Sequence, residues 1–180
     1  VSKEGELEAV IDAVAKRWGR LDILVHSVAF APKEDLQGGL LNCSAEGFAK
    51  AMDVSCHSFV RMAKLAAPLM TEGGTMFAMS YHGASKVVPT YSVMGPVKAA
   101  LDSSLAFLAK SFSKFSQIRF NAVGAGLLKT SASAGIPGYV DSYLYAERAT
   151  LRGRAVQTEE VANAVAFLLS PRSSGMNAQR

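Results

Sequence analysis

The chain alternates between two kinds of apolar segment, and this alternation limits its possible folds more than any other feature. Helical spacing of apolar residues occurs in four segments: 4–18, 44–67, 90–112 and 158–169. Short apolar runs, typical of strands buried on both faces, lie between them at 22–27, 75–80 and 117–123. Alternating helices and buried strands predict an α/β fold with a doubly wound parallel sheet.

Several details refine this prediction. The helix over 44–67 should bend near Asp53, and Thr158 should cap the last helix. The stretch 124–147 has no sustained period and is too long for an ordinary connection, so we expect a binding loop or lid there. Residues 171–180 form a polar tail without a closing strand. Only about three strands are predicted, fewer than is usual, so the chain resembles one domain over 1–180 that is truncated at both ends.

Composition excludes several classes of protein. With 49% hydrophobic and 19% charged residues, the 180-residue chain can bury a core. A net charge of +4 arises from scattered basic residues, so we expect no nucleic-acid partner. No apolar run is long enough for a membrane helix and no leader opens the sequence, so we expect neither secretion nor a membrane. Cys43 and Cys56 lack metal-ligand spacing, which favours reduced thiols in a cytoplasm and no metal site.

Tyr81, Tyr91 and Lys98 are the residues with the clearest chemical potential. Tyr91 and Lys98 are seven apart on the predicted helix, some 20° short of two full turns, so they should share a face. Tyr81 follows a predicted strand, where α/β folds place ligands. A phenol can stabilise charge on a carbonyl oxygen, and an ammonium favours that charge and binds sugar hydroxyls. On the spacing alone, the favoured interpretation is that these are two surface tyrosines and a solvated lysine without a function.

The sequence around these residues resembles a known family. In order along the chain, the matching segments are LVHSVAFAP at 24–32, PLM at 68–70 with Gly73-Gly74, Ser80-Tyr81, YSVMGPVKAAL at 91–101, IRFNAV at 118–123 and the stretch 125–130. Together they resemble the enoyl-[acyl-carrier-protein] reductases of bacterial fatty-acid synthesis, nearest the alphaproteobacterial members. This family is the branch of the short-chain dehydrogenase/reductase superfamily with tyrosine and lysine seven apart.

The resemblance implies a fold, a reaction and an assembly. The fold would be a Rossmann-type sheet, and the reaction would be reduction of a trans-2-enoyl thioester on acyl carrier protein, with NADH, or NADPH as the alternative, as hydride donor. Tyr91 would bond the thioester carbonyl, Tyr81 would be the second active-site tyrosine, and Lys98 would hold the nicotinamide ribose. Family members form homotetramers, and helices 44–67 and 90–112 would supply the interface.

The resemblance also assigns binding residues. Val1 would cover the adenine, and the backbone at Val28 would run beside the cofactor. Ala31 would contact the substrate, and Met94 would line the acyl pocket. The segment for the carboxamide and pyrophosphate would comprise Leu128, Lys129, Thr130, Ser131 and Ala132. The sequence contains no GxGxxG phosphate loop, so the first half of the family fold, together with its final strand, would lie outside this chain.

Some positions depart from the family and leave other hypotheses open. Ser92, Gly124, Leu127 and Phe120 replace the usual asparagine, serine, proline and valine, and the region 111–117 has one extra residue and no glycine. A divergent paralogue, or a non-catalytic remnant that keeps only packing and self-association surfaces, would also fit.

An ordinary short-chain carbonyl reductase is a third hypothesis. That group requires a lysine four residues after the tyrosine, but Gly95 occupies the position, which disfavours this hypothesis. We expect none of the three histidines to act as a catalyst, because none has a partner acid at triad spacing.

Overall fold

Three parallel strands form the centre of the molecule. The computed structural model describes residues 1–131, 133–136 and 138–180. In sheet order the strands are β1 (Ile23–His26), β2 (Gly74–Tyr81) and β3 (Ile118–Ala125). Ile23 pairs with Thr75, and Gly74 pairs with Ile118. The predicted α/β fold with a parallel sheet is confirmed.

Helices connect and cover these strands. They are α1 (Glu6–Trp18), α2 (Lys33–Gln37), α3 (Ala45–Met52), α4 (Ser58–Ala66), α5 (Met94–Phe112), α6 (Tyr139–Ala149) and α7 (Thr158–Leu169). Within the described ranges, no helix combines the length and apolar character needed to cross a bilayer.

Near Asp53, where the sequence predicts a bend, the structure has a π-helical turn. The turn spans Asp53–His57 and joins α3 to α4 without interrupting the helical path. Ser58 donates its hydroxyl to the Val54 carbonyl at 2.7 Å, which satisfies one acceptor of the widened turn.

The core lies between the sheet and helices α4 and α5. Three phenylalanines join these layers: the rings of Phe59 and Phe120 lie 6.3 Å apart between centroids, and those of Phe112 and Phe120 lie 4.9 Å apart. Both pairs meet edge to face, an arrangement that aromatic rings favour. Phe120, one of the departures from the family, is therefore a fully buried core residue.

Strand β1 corrects one prediction, because it is not buried on both faces. Leu24 and His26 are buried, but Ile23 is 43% exposed and Val25 is 45% exposed. Helix α7 packs against β2 and β3, and Phe77, the register partner of Val25, is fully buried. The apolar run correctly indicated a strand, but burial depends on neighbouring elements.

The helix predicted over 90–112 begins later, at Met94. Tyr91 instead ends a 3₁₀ turn, Pro89–Tyr91, and Ser92 has a φ of 40°, which an α-helix does not allow. The inference that Tyr91 and Lys98 share a helix face is therefore wrong, since only Lys98 lies on α5. Ser92 donates its hydroxyl to the Asp35 carbonyl at 2.9 Å, which joins this turn to α2.

The stretch predicted as an aperiodic loop contains helix α6. Tyr139 and Tyr143 stand four residues apart on it, and Tyr143 is buried. Apolar residues are also exposed on its other faces, so the sequence shows no clear helical period of apolar residues.

Two smaller predictions near the C-terminus are also corrected. Gln157 caps α7 in place of Thr158, and its backbone N–H donates to the Glu160 carboxylate at 2.9 Å. The polar tail pairs with β3: Ala178 N–H donates to the Phe120 carbonyl at 2.7 Å, and Ala122 N–H donates to the Gln179 carbonyl at 2.8 Å. The tail thereby begins a further parallel pairing beside β3.

Candidate active site

A cavity of about 350 Å³ opens at the carboxyl ends of all three strands. Ser27 follows β1, Met79 to Tyr81 end β2, and Ala125 ends β3. Helices α2, α5 and α6 contribute Leu36, Met94, Lys98, Tyr139 and Ser142, and the loops and turns between the elements supply the rest of the wall. This edge is where open α/β sheets bind ligands.

Tyr81 and Tyr91 stand together on one side of the cavity. Their rings meet edge to face with centroids 4.6 Å apart. Gly83 allows this approach, because a Cβ atom there would lie 2.8 Å from both rings. The strand end and the 3₁₀ turn therefore present both tyrosines to the same cavity, although Tyr91 is not on the helix.

The Tyr91 phenol is held in its neutral form. Burial raises its pKa well above the ordinary value, and the nearby Tyr81 raises it further. Burial, and to a smaller extent Tyr139, also raises the pKa of Tyr81. A neutral phenol donates a hydrogen bond, so Tyr91 is equipped to stabilise a carbonyl oxygen that gains negative charge.

Lys98 brings a buried ammonium to the same cavity. Its side chain is 5% exposed, and its Nζ donates to the Met79 carbonyl at 2.6 Å. Burial lowers its pKa to about 8, although the Asp102 carboxylate one turn further along α5 opposes that shift. An ammonium has three N–H donors, and within the described ranges the Met79 carbonyl occupies one of them.

The remaining donors fit a hydroxylated ligand such as the ribose of a nicotinamide cofactor. Ser80 also lines the cavity, and its buried Oγ has no hydrogen-bond partner among the described residues. Such an orphaned hydroxyl is costly unless a ligand or water satisfies it. The Lys98 ammonium and the Ser80 hydroxyl therefore offer polar groups that fit the hydroxyls of a sugar.

The structure gathers many of the predicted site residues around this cavity. Those that line it are Tyr81, Tyr91, Lys98, Ala31, Met94, Leu128 and Thr130. Leu127, one of the departures from the family, also lines it.

Other predicted residues lie outside the cavity wall or beyond the described part of the chain. Val28 stands between the lining residues Ser27 and Ala29, and Val1 lies before α1, where Arg61 donates to its carbonyl. The Lys129 ammonium lies 4.6 Å from the ring centroid of Tyr143, a cation–π geometry. Ser131 is exposed. Ala132 lies outside the described residues.

Sequence reasoning missed Tyr139 and Ser133, which also line the cavity. The Tyr139 hydroxyl donates to the Leu128 carbonyl. The Ser133 hydroxyl is shared between the Leu128 carbonyl at 2.9 Å and the Thr130 carbonyl at 2.8 Å. The four-residue spacing of Tyr139 and Tyr143 was the available signal of a helix with a tyrosine face.

Comparisons with known proteins show which family the chain belongs to. The family described as Enoyl-(Acyl carrier protein) reductase matches residues 1–180. The chain is 40% identical over 179 residues to an enoyl-[acyl-carrier-protein] reductase [NADH] FabI of Nostoc sp., covering 99% of this chain and 69% of the relative. It is 39% identical to enoyl-[acyl-carrier-protein] reductase [NADH] 2 of Rhizobium meliloti, covering 97% of this chain and 65% of the relative.

Solved structures give the same result. The enoyl-[acyl-carrier-protein] reductase (NADH) of Aquifex aeolicus superposes with a TM-score of 0.94 at 36% identity, covering 99% of this chain and 69% of that one. The reductase of Anaplasma phagocytophilum in complex with NAD superposes with a TM-score of 0.93 at 38% identity, covering 99% and 68%. The chain thus spans about two thirds of the length of these relatives. It has their Rossmann-type fold over that span and belongs to the enoyl-(acyl carrier protein) reductase family.

Proposed function

We propose that this protein reduces trans-2-enoyl thioesters carried on acyl carrier protein, with NADH as the hydride donor. The observation that carries the proposal is the meeting of a neutral phenol, Tyr91, and a buried ammonium, Lys98, in one cavity at the strand ends. Family membership supplies the substrate class, since the relatives are named for that reaction.

The cofactor would occupy the part of the cavity near Lys98. Lys98 would donate to the ribose hydroxyls, and the backbone of 128–130 would face the carboxamide. When bound, NADH supplies a hydride to the β carbon of the enoyl group. The Nostoc and Rhizobium relatives are named for NADH, whereas a Bacillus cereus reductase structure contains NADP+, so NADPH is the alternative donor.

Tyr91 would stabilise the charge that the reduction places on the substrate. As the β carbon gains an electron pair, the thioester carbonyl oxygen becomes an enolate oxygen, and the Tyr91 hydroxyl donates a hydrogen bond to it. The positive charge of Lys98 favours the same negative charge, while Tyr81 shapes the carbonyl site from its ring contact with Tyr91. A proton then adds to the α carbon and completes the saturated thioester.

We also propose a homotetramer built through the outer faces of the two central helices. Helix α5 turns small and apolar residues outward, including Ala99, Ala106 and a Phe107 that is 74% exposed. Phe48 of α3 is 38% exposed. Phe107→Glu should therefore lower the mass measured by sedimentation, whereas Thr71→Glu, at an exposed position outside both helices, should leave it unchanged. A monomeric parent protein would contradict the proposal.

A cytoplasmic location agrees with this function. Cys43 and Cys56 are free cysteines, as expected in a reducing compartment.

The test of function is substrate turnover by the protein expressed from its full reading frame. NADH absorbance should fall when a crotonyl thioester is added, and should stay constant with a simple ketone. Ketone reduction without thioester reduction would favour the carbonyl reductase hypothesis. Turnover of neither substrate, with a correctly folded protein, would favour the non-catalytic hypothesis.

A further inference from the structure

One backbone carbonyl in the cavity wall is held from two sides. The Leu128 carbonyl accepts hydrogen bonds from the hydroxyls of Ser133 and Tyr139. Ser133 is close in sequence and also exchanges hydrogen bonds with Thr130, so it orders the turn locally. Tyr139 is eleven residues away and is the first residue of α6, so its bond joins two separate elements.

Helix α6 also exposes part of its apolar surface and meets this wall through a second tyrosine. Val140 is 69% exposed and Tyr145 is 75% exposed. The second visible attachment is Tyr143, whose buried ring lies under the Lys129 ammonium. These two tyrosines of α6 thus contact neighbouring residues, Leu128 and Lys129.

Tyr139 also faces the reacting side of the cavity. It lines the same cavity as Tyr81 and Tyr91, and it is close enough to Tyr81 to raise the pKa of that phenol. Because its hydroxyl is occupied by Leu128, it presents mainly its ring to the cavity.

We propose that Tyr139 is a positioning residue that couples α6 to the cofactor-facing backbone through its hydrogen bond to the Leu128 carbonyl. This inference rests on the proposed function, in which the backbone of 128–130 faces the nicotinamide carboxamide. The bond holds that backbone in one orientation before the cofactor arrives. Helix α6 lines the substrate side of the cavity. Because of this bond, it moves together with the backbone of 128–130 rather than independently of it.

The test compares Tyr139→Phe, which removes only the hydroxyl, with Tyr145→Phe, which removes an exposed hydroxyl from the same helix. Hydrogen exchange is first measured on the protein without cofactor. Amides of α6 and of 128–131 should exchange about fivefold faster in Tyr139→Phe, as expected for the loss of one hydrogen bond, and at the parent rate in Tyr145→Phe. Equal exchange in Tyr139→Phe and the parent protein would overturn the coupling, whatever the reaction proves to be.

A second measurement separates positioning from simple destabilisation. NADH binding, followed by fluorescence, should weaken about fivefold in Tyr139→Phe, and KM for NADH should rise while kcat at saturating NADH changes less than about twofold. Faster exchange with unchanged NADH affinity would overturn the role toward the cofactor. An unaltered KM with a reduced kcat would also contradict it, since Tyr139 would then act on the chemical step.

Discussion

The two sides of the cavity are built in different ways. On one side, Tyr91 and Lys98 are fixed by buried contacts: an aromatic pair, a tight glycine and a hydrogen bond to a strand carbonyl. On the other side, the described residues of 126–149 are mostly exposed or half-buried, and the hydroxyls of Ser133 and Tyr139 hold the Leu128 carbonyl there. The first side has the geometry for chemistry, and the second has the looser packing that allows ligands to enter.

The difference predicts that substitutions on the buried side change rate, affinity or stability directly, while substitutions on the exposed side change mobility and, through mobility, cofactor affinity. The effects below run from the largest to the smallest.

Tyr91→Phe should lower the reduction rate most. Loss of one hydrogen bond to a charged oxygen costs about 2–4 kcal/mol of transition-state stabilisation, or roughly 30- to 1,000-fold in rate. NADH affinity should stay near the parent value, because the phenol does not bind the ribose. Steady-state reduction of a crotonyl thioester measures this, with Tyr145→Phe as the control; parent-like turnover in Tyr91→Phe would show that another group stabilises the oxygen.

His26 should make the buried side sensitive to acid. Its ring is fully buried with Nε2 2.7 Å from Ser58 Oγ, and burial, followed by the charge of Lys98, lowers its pKa to about 4. The unfolded chain protonates near pH 6.5 but the folded protein does not, so stability falls as pH drops from 6.5 to 4. The loss should reach about 3 kcal/mol.

Urea unfolding at several pH values tests the His26 prediction. His26→Gln should lower stability at neutral pH and flatten its slope between pH 6.5 and 4. His82→Gln, at an exposed position, is the control. An equal slope in His26→Gln and the parent protein would mean that other groups govern the acid response.

Lys98→Met should weaken NADH binding by about 30-fold at pH 7, because charge-assisted hydrogen bonds contribute about 2 kcal/mol. The pKa of Lys98 is about 8, so parent binding should weaken as pH rises through that value and the ammonium loses its proton. The variant should bind equally at pH 7 and pH 9. Fluorescence titration measures the NADH affinity at both pH values, with Lys110→Met at an exposed position as the control. If Lys98→Met showed the same pH dependence as the parent protein, another group would cause that dependence.

Ser92→Ala should have the smallest effect. The variant keeps the backbone at a φ of 40° but loses the hydroxyl bond to the Asp35 carbonyl, which should cost about 1 kcal/mol of stability. Thermal unfolding should show a lower Tm than for Ser103→Ala, whose hydroxyl is exposed. Equal Tm values would mean that this bond contributes nothing measurable.

The buried side was largely predictable from sequence, because its elements follow apolar periods and its residues lie in specific motifs. The strand over 75–80 and the helix containing Lys98 were correctly predicted. The position of Tyr91 was not, since a single residue with positive φ, Ser92, separates it from α5. Backbone strain of this kind depends on tertiary contacts such as the one to Asp35, which no local period shows.

The other side was poorly predictable for a different reason. Helix α6 has apolar residues both toward and away from the cavity, so its period is weak. The hydrogen bond of Tyr139 to Leu128 joins residues eleven apart through a turn, which no sequence motif indicates. The exposure of β1 likewise depends on what lies beside it rather than on its own apolar run.

The most direct test of the central claim is a structure of the protein with NAD+ and a crotonyl thioester. The account predicts that Tyr91 Oη lies about 2.7 Å from the thioester carbonyl oxygen and that Lys98 Nζ donates to the ribose hydroxyls. A carbonyl oxygen bonded to Tyr81 alone, with Tyr91 turned away and Lys98 still bound only to the Met79 carbonyl, would contradict it.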